Sequence, residues 1–206
     1  MITAVIVAAG NSTRFHKNKS KLFMKINDKF IINIIIDKFL SIKAISNVIL
    51  VINEKQEFKQ IINQYNDRVT FVKGGKKRQD SVLAALNLIT TLDNSKVLIH
   101  DAARFNCSID LINKVIDASR NHPAVIPILN IVDTVKQLNT ENQTIKNTLN
   151  RDMLGLAQTP QAFDLELIKE LHQTSQDNIT DDAQLCEYKN INIKYINGEK
   201  NNFKIT

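Results

Sequence analysis

Short apolar runs alternate along the chain with segments in which apolar residues recur at helical spacing. The run at residues 3–8 is continuous and rich in β-branched side chains, as is typical of a strand buried on both faces of a parallel sheet. Similar runs stand at 48–52, 69–72, 97–100 and 124–128, and helical spacing stands at 30–40, 54–63, 80–92 and 108–120. This alternation predicts an α/β protein with a mostly parallel sheet covered by helices on both faces.

The pattern changes at residues 130–150, where two short apolar segments flank the polar turn 139–142. This arrangement predicts a protruding β-hairpin arm. Because a lone hairpin is only marginally stable, we expect the arm to pack on something, such as a second subunit. Two helices and closing strands at 195–198 and 203–205 are predicted after it. With no repeat or linker in the sequence, we expect residues 1–206 to form a single domain with an arm.

The composition, with 43% hydrophobic and 23% charged residues, is that of an ordinary globular protein. The two cysteines, Cys107 and Cys186, form no CxxC pair, which excludes a disulfide scaffold and a zinc ribbon and predicts a reducing, cytoplasmic compartment. No apolar run approaches the ~20 residues of a bilayer helix. No basic residue precedes the first apolar run, so we also expect no signal peptide.

The 27 Lys and Arg residues exceed the 21 Asp and Glu residues by +6, a balance that suits nucleic acid, anionic lipid or a phosphorylated small substrate. The basic residues cluster at 14–25 and 73–78, beside glycine-containing loops. A face for nucleic acid would also need stacking aromatic residues, and aromatic residues make up only 6% of the chain. We therefore expect no nucleic acid, and the basic excess either serves a small phosphorylated ligand or serves only solubility.

The first of these loops reads AAGNSTRF at residues 8–15 and continues to Ser20-Lys21. Small residues at Ala8, Ala9 and Gly10 let the backbone approach a ligand, and exposed N–H groups in such a turn can hold an anion. Arg14 and Lys21 add two cations, as a triphosphate requires. The loop matches neither GxxxxGK[ST] nor GxGxxG, and an ordinary surface loop with two solvated cations is the alternative.

Two further loops also follow predicted strands, at the edge where ligands bind in such sheets. The segment GGKKRQDS at 74–81 turns tightly, and its Ser81 either caps the next helix or faces a base or ribose. In HDAAR at 100–104, Asp101 beside Arg104 suits a metal-triphosphate or polar-substrate site, with a plain salt bridge as the alternative. His100 is equally compatible with a structural and a catalytic role.

Taken together, the motifs indicate more than each does alone. AAGNSTRF, GGKKRQDSV, IHDAAR, the Val132–Lys136 segment, Arg151, QTPQ-F, TDDA and NFKIT occur in this order across essentially the whole chain. In this respect the chain resembles the 2-C-methyl-D-erythritol 4-phosphate cytidylyltransferase family of the non-mevalonate isoprenoid pathway. The resemblance implies a Rossmann-like fold of the nucleotide-diphospho-sugar transferase type. It also implies transfer of CMP from CTP to methylerythritol phosphate, with release of pyrophosphate.

The resemblance also implies a role for each matched position. Arg14 and Lys21 would be catalytic, at the triphosphate. Residues implied to line CTP are Ala8, Ala9, Gly10, Gly75, Ser81 and Asp101, the last facing the sugar phosphate as well. Residues implied to bind the sugar phosphate are Arg104, Thr134, Arg151, Thr159 and Lys204. Thr134 and Arg151 would be supplied by the arm to the partner subunit of a homodimer. Mg²⁺ would be held mainly by the triphosphate, with no direct protein ligand.

The chain departs from the family pattern at Ser20 and Phe105, where proline is usual, and its Lys76-Lys77 pair is more basic than usual. A cytidylyltransferase for another pentitol phosphate, such as ribitol 5-phosphate, is the nearest alternative. A second alternative is an inactive relative kept as a binding module. Such a relative would be expected to have lost Arg14, Lys21 or Asp101, and all three are present. Because the phosphate nucleophile is already an anion, the reaction needs no general base.

Overall fold

The computed structural model describes residues 2–10, 21–53, 61, 64–65, 67–90, 95–175 and 178–205. Arg14, most of the first loop and all but residue 61 of the helix predicted at 54–63 lie outside this part of the chain. Its strands are β1 Ile2–Val7, β2 Lys25–Ile26, β3 Lys29–Phe30, β4 Ile45–Ile52, β5 Val69–Lys73, β6 Lys96–Asp101, β7 Ala124–Asn130, β8 Val135–Asn139, β9 Thr144–Leu149, β10 Gly155–Ala157, β11 Gln161–Asp164 and β12 Ile193–Asn197. Its α-helices are α1 Ile31–Leu40, α2 Arg78–Leu86, α3 Ile109–Ser119, α4 Leu165–Thr174 and α5 Ala183–Tyr188.

Within the described residues, one sheet of eight strands forms the centre of the fold, in the order β10-β7-β11-β6-β1-β4-β5 with β12 beside β7. Strand β1 pairs in parallel with β4 and β6, β4 with β5 and β12 with β7. Strand β11 runs antiparallel between β6 and β7, and β10 runs antiparallel to β7. The sheet is therefore mostly parallel, as predicted, with two reversed strands.

Helices cover both faces of this sheet because each strand presents apolar side chains alternately to either side. On one face, α1 packs on β4 and α3 packs on β7 and β11, through fully buried residues such as Ile35 and Ile112. On the other face, α2, α4 and α5 pack through Val82, Ile168 and Cys186. The predicted α/β class is confirmed, and the carboxyl ends of β1, β4, β5 and β6 are brought to one edge.

Some boundaries differ from the sequence prediction. Helix α2 begins at Arg78, before the predicted start at 80, and ends at Leu86. Strand β11 was not predicted, because a four-residue segment that begins with glutamine and ends with aspartate has no apolar run. The segment 203–205 forms no strand; it is joined to Ala103 by the N–H of Ile205, which donates to the Ala103 carbonyl at 2.9 Å. Ser108 caps the start of α3, since its Oγ accepts from Leu111 N–H at 2.9 Å.

The hairpin arm is present as predicted. Strands β8 and β9 pair antiparallel from Val135 opposite Leu149 to Asn139 opposite Thr144, with an irregularity after Gln137. They form a two-stranded sheet of their own, so the arm extends away from the main sheet. Over the described ranges, no helix is long and apolar enough to cross a membrane.

Candidate active site

A cavity of about 410 Å³ opens at the carboxyl edge of the sheet, where ligands bind in folds of this type. Strand β1 leads into its first wall, the loop after β5 forms a second, and β6 ends in a third. The predicted nucleotide residues that line it are Ala8, Ala9, Gly10, Lys21, Gly75, Ser81 and Asp101. We call it the first cavity. The structure therefore brings together every described residue that was predicted for the CTP site.

Close backbone contact shapes the first cavity. A Cβ on Gly74 would lie 2.3 Å from Ala9 Cβ and 2.8 Å from Ser81 Oγ, so only glycine fits there. Ser81 is buried, and its Oγ accepts from Gly75 N–H at 3.1 Å and donates to the Lys77 carbonyl at 3.2 Å. The Ser81 hydroxyl thus holds the glycine loop in place. The helix cap at this point comes from Asp80, whose carboxylate accepts from Lys77 N–H at 3.0 Å.

A second cavity of about 440 Å³ adjoins the first. Three of the residues predicted for the sugar phosphate, Arg104, Thr159 and Lys204, line it. Its remaining lining is polar and comes largely from Gln158, Gln161, Thr180, Asp181, Gln184 and Glu187. Arg78, Asp101 and Lys204 line both cavities, and we call these three residues the shared wall.

The shared wall is a row of paired charges. Asp101 Oδ1 lies 3.0 Å from Arg78 Nε, and Asp101 Oδ2 lies 2.7 Å from Lys204 Nζ. Burial alone would raise the pKa of the Asp101 carboxyl, but the two cations outweigh burial and hold it well below its usual range. Burial likewise opposes the charge on Arg78, yet neighbouring carboxylates raise its pKa above the ordinary value. Asp101 and Arg78 are therefore both charged at neutral pH.

His100 is a structural residue beneath this wall. It is fully buried, and its Nε2 lies 3.2 Å from the Arg104 carbonyl, which can only accept. Nδ1 is then the acceptor for the Thr159 hydroxyl at 3.1 Å, and that hydroxyl accepts from Asp101 N–H at 3.0 Å. Burial lowers the pKa of His100 to about 4. The Thr159 hydroxyl is thus occupied in orienting Asp101, on the floor of the second cavity.

Cations surround the mouth of the first cavity. Lys21, Lys76 and Lys77 line it together with the shared-wall cations, and the ammonium of Lys21 donates to the backbone carbonyl of Ile205. Positive charge from several elements therefore converges on one space, which suits a polyanionic ligand. The predicted role of Arg14 stays a prediction, because this residue lies outside the described part of the chain.

Thr134 and Arg151 are the two predicted site residues that the structure does not bring to these cavities. Both are exposed on or beside the arm, and neither lines the first or second cavity. Arg151 donates instead to the Val132 carbonyl at the base of the arm. Within one chain these residues and the cavities are separate.

Three contributors to the site were not predicted: Arg78 in the shared wall, and Gln158 and Asn202 behind it. Gln158 Nε2 donates to the Glu199 carbonyl at 2.8 Å, and Asn202 Nδ2 donates to the Thr159 carbonyl at 2.9 Å. These bonds tie the segment that carries Lys204 to the second cavity. The only sequence signal was that Arg78, Gln158 and Asn202 lie in matched motifs.

Thiol and metal chemistry find little support among the described residues. Cys107 and Cys186 are both buried and unbridged, and burial raises the pKa of each thiol to about 12. No group of three His, Cys, Asp or Glu side chains is placed to hold a metal ion in the described ranges. Asp101 is the single carboxylate that lines the first cavity within these ranges.

These two cavities would hold a polyanion and a second polar ligand on either side of one charged wall. Passing a nucleotidyl group between two such ligands is the work of a nucleotidyltransferase, and the fold and site place the chain in that class. Comparison with known proteins narrows the class, since the family described as IspD, 2-C-methyl-D-erythritol 4-phosphate cytidylyltransferase, matches residues 2–206. The chain belongs to the 2-C-methyl-D-erythritol 4-phosphate cytidylyltransferase family.

Individual relatives agree with this assignment. A 2-C-methyl-D-erythritol 4-phosphate cytidylyltransferase of Clostridium tetani is 40% identical over 210 residues, covering 98% of this chain and 84% of that protein. A bifunctional enzyme IspD/IspF of Pelagibacter ubique is 37% identical over 203 residues, and this chain spans about half of it, 53%. The crystal structure of 4-diphosphocytidyl-2C-methyl-D-erythritol synthase from Anaerococcus prevotii has a TM-score of 0.86 and 31% identity, covering 99% of this chain and 89% of that one. The predicted enzyme, acting at the CTP-dependent step of the non-mevalonate pathway, is confirmed.

Proposed function

We propose that the first cavity binds CTP, that the second binds the phosphate end of methylerythritol phosphate, and that the cytidylyl group is transferred across the shared wall. One observation carries this division: Arg78, Asp101 and Lys204 line both cavities. Two ligands on either side of this wall would therefore lie close enough to react, and their proximity removes much of the entropic barrier.

The reaction joins the 4-phosphate to the α-phosphorus of CTP. A phosphate oxygen forms the new P–O bond, the bond from the α-phosphorus to its bridging oxygen breaks, and pyrophosphate leaves with that electron pair. The nucleophile is anionic near neutral pH, so the chain needs no general base, and buried His100 is not one. The barrier is the repulsion between two anions, which positioned cations lower.

The described cations divide this task by position. Lys21 lines the first cavity from the N-terminal part of the chain, and Lys76 and Lys77 line it from the loop before α2. Lys204 lies where the two ligands would meet. Arg104 lines only the second cavity, and its guanidinium is anchored by the Asn202 carbonyl at 2.8 Å. We assign Lys21 to the transferring phosphates and Arg104 to the incoming phosphate.

A divalent cation suits this donor set. Mg²⁺ commonly binds through one or two carboxylates together with substrate phosphates, and among the described residues Asp101 is the single carboxylate that lines the first cavity. Because both oxygens of Asp101 are paired with Arg78 and Lys204, the ion would be held mainly by the triphosphate. When bound, it would neutralise phosphate charge and orient the triphosphate.

The arm gives reason to propose a homodimer. Val132, Leu138 and Ile145 are all more than 60% exposed on it, an apolar surface that water disfavours and a second copy could cover. The same arm carries Thr134 and lies next to Arg151, which reach neither cavity of their own chain. We propose that both residues complete the second cavity of the partner subunit. The domain assignment, a single domain with a dimerisation arm, is proposed on the same ground, and a cytoplasmic location rests on the two buried, unbridged cysteines.

The direct test is to incubate the purified chain with CTP, Mg²⁺ and methylerythritol 4-phosphate and to measure pyrophosphate release, with ribitol 5-phosphate in parallel. We expect release with methylerythritol phosphate and little with ribitol phosphate. Release with ribitol phosphate alone would overturn the proposed occupant of the second cavity while leaving the first cavity assigned to CTP.

The shared site is tested by mixing two variants with different defects, Lys21→Ala and Arg151→Ala, and measuring pyrophosphate release at methylerythritol phosphate concentrations well below KM, where each variant alone should be impaired. If Arg151 serves the partner's site, a mixed dimer contains one site with both defects and one site with none. Random exchange of subunits should then restore about a quarter of the wild-type sites. No recovery from mixtures shown to exchange subunits would contradict the proposal.

A further inference from the structure

Two matched motif residues have no role in the reaction as described so far. Arg78 stands in the GGKKRQDS segment and is the first residue of α2. Asp182 stands in TDDA and immediately precedes α5. They are 104 positions apart along the sequence, yet the fold brings them together beneath the site.

A row of contacts leads from the protein interior to the shared wall. Asp182 is completely buried, and its Oδ2 lies 2.8 Å from Arg78 Nη2. Its other oxygen lies 3.1 Å from Nε2 of His172, on α4. The opposite end of the Arg78 guanidinium, Nε, lies 3.0 Å from Asp101 Oδ1, and Lys204 holds the second oxygen of Asp101. Charges along Asp182, Arg78, Asp101 and Lys204 alternate in sign.

The members of this row differ in their access to ligands. Arg78, Asp101 and Lys204 line the cavities, whereas Asp182 and His172 line neither. Asp182 can therefore influence the reaction only through the residues it holds. A guanidinium presents donors in a rigid planar fork and can hold two carboxylates at a fixed separation, which the single ammonium of lysine cannot do. The arrangement depends on arginine at position 78.

We propose that Asp182 and Arg78 are positioning residues for the cytidylyl transfer: buried Asp182 orients the Arg78 fork, and the fork fixes the Asp101 carboxylate, and with it Lys204, between the two substrates. This inference rests on the proposed assignment of the two cavities. Without the Asp182 charge, Arg78 keeps its own charge but loses its inner anchor. The wall is then free to shift, and a displacement of about 1 Å near the reacting atoms can cost on the order of 10²-fold in rate.

The experiment compares Asp182→Asn with Asp164→Asn. Asp164 forms an ion pair with Lys96 at the opposite end of β6, away from both cavities, so its change to asparagine controls for the loss of an ion pair. For each variant we would measure CTP-binding stoichiometry by calorimetry and the single-turnover rate of CMP transfer per CTP-binding site. We expect about one CTP per chain in both variants. The rate should fall about 10- to 100-fold for Asp182→Asn and less than twofold for Asp164→Asn.

A double-mutant cycle identifies the route of the effect. Asp182→Asn is combined with Arg78→Met, which keeps the apolar stem of the side chain and removes the fork. If Asp182 acts through Arg78, the double variant is no slower than Arg78→Met alone. Multiplied losses would overturn the proposal, because Asp182 would then act independently of Arg78.

Arg78→Lys provides a second test of the positioning role, one that leaves the buried Asp182 unchanged. It retains a positive charge but lacks the rigid planar fork that fixes the separation of the two carboxylates, so we expect a rate loss within about threefold of that of Arg78→Met. Full activity in Arg78→Lys, or wild-type rate per binding site in Asp182→Asn, would overturn the positioning role. Failure of the wild-type chain to release pyrophosphate with methylerythritol phosphate would instead overturn the proposed function, so the two failures are distinguishable.

Discussion

The edge of the central sheet and the arm both carry residues of the family motifs, but the two regions differ in how far those residues are buried. At the sheet edge, Asp101 is largely buried and held by two cations, with its backbone N–H bonded to Thr159. On the arm, Thr134 and Arg151 are exposed, and the arm strands pair only with each other in the described structure. The cavities are therefore preorganised by a single chain, whereas the arm residues have no comparable surroundings within the described part of the chain. Changes at the edge should impair chemistry and stability together, and changes on the arm should impair binding alone.

Lys21→Ala should have the largest effect on activity. Lys21 lines the first cavity, and removing one preorganised donor to transition-state charge costs roughly 10²–10³-fold in kcat. Steady-state pyrophosphate release would measure it, with CTP binding as the check on folding. An unchanged kcat would remove Lys21 from the chemistry.

His100 makes stability at the sheet edge depend on pH. Burial lowers its pKa to about 4, below the unfolded value of about 6.5. Between these values the unfolded chain binds a proton that the folded chain does not, so the unfolding free energy falls as pH decreases through this window. The full contribution, present above pH 6.5, is on the order of 3 kcal/mol.

Denaturant unfolding of wild type and His100→Asn at several pH values between 7 and 4.5 would measure this contribution. The variant lacks the titrating group, so its stability should depend less steeply on pH. Parallel curves for the two proteins would contradict the assignment of His100 as a buried neutral residue.

Gly74→Ala should destabilise the edge to a smaller extent. Its Cβ would lie 2.3 Å from Ala9 Cβ, a contact that the short, stiff neighbour cannot relieve without moving the backbone. Overpacking of this kind costs typically about 1–3 kcal/mol. Gly10→Ala is the matched control for stability, because a Cβ there meets no atom of the described residues within 4 Å. Equal stability losses in the two variants would show that the close approach at Gly74 is unimportant.

Arg151→Ala should have the smallest effect on activity, and it should affect substrate binding without affecting the chemical step. The loss of a phosphate contact made before the transition state should raise KM for methylerythritol phosphate about tenfold, with kcat and KM for CTP nearly unchanged. Lys146→Ala, which removes an exposed charge from β9 of the same arm, is the control. If both variants behave like wild type, the arm contributes surface to the dimer but no ligand contact.

Much of the fold could be predicted because buried parallel strands are continuous apolar runs, and β1, β4 and β6 are of this type. Strand β11 could not, since Gln161 and Asp164 are polar; it exists because β6 and β7 provide hydrogen-bonding partners on both sides. The segment 203–205 has the composition of a strand, but it has no partner strand in the described structure, and Lys204 serves the site instead.

The site could be predicted as a set of loops but not as a set of contacts. Glycines and cations after strands indicated the first cavity, because close approach and charge are local properties of the sequence. The pairing of Arg78 with Asp182 was not visible, since it depends on how α2 packs beside α4 and α5. The hydrogen bonds of the Ser81 and Thr159 hydroxyls could not be predicted either, because the partners of a hydroxyl are known only once the chain is folded.

The contact between Lys21 and the Ile205 carbonyl joins residues 184 positions apart. Lys204 beside it completes the wall at Asp101. During translation, a chain still lacking this segment can form β1 and the glycine loops but cannot assemble the full set of cations. We therefore expect activity to begin only after residue 205 has left the ribosome, because a shorter nascent chain lacks the contacts of Lys204 and Ile205 with the site.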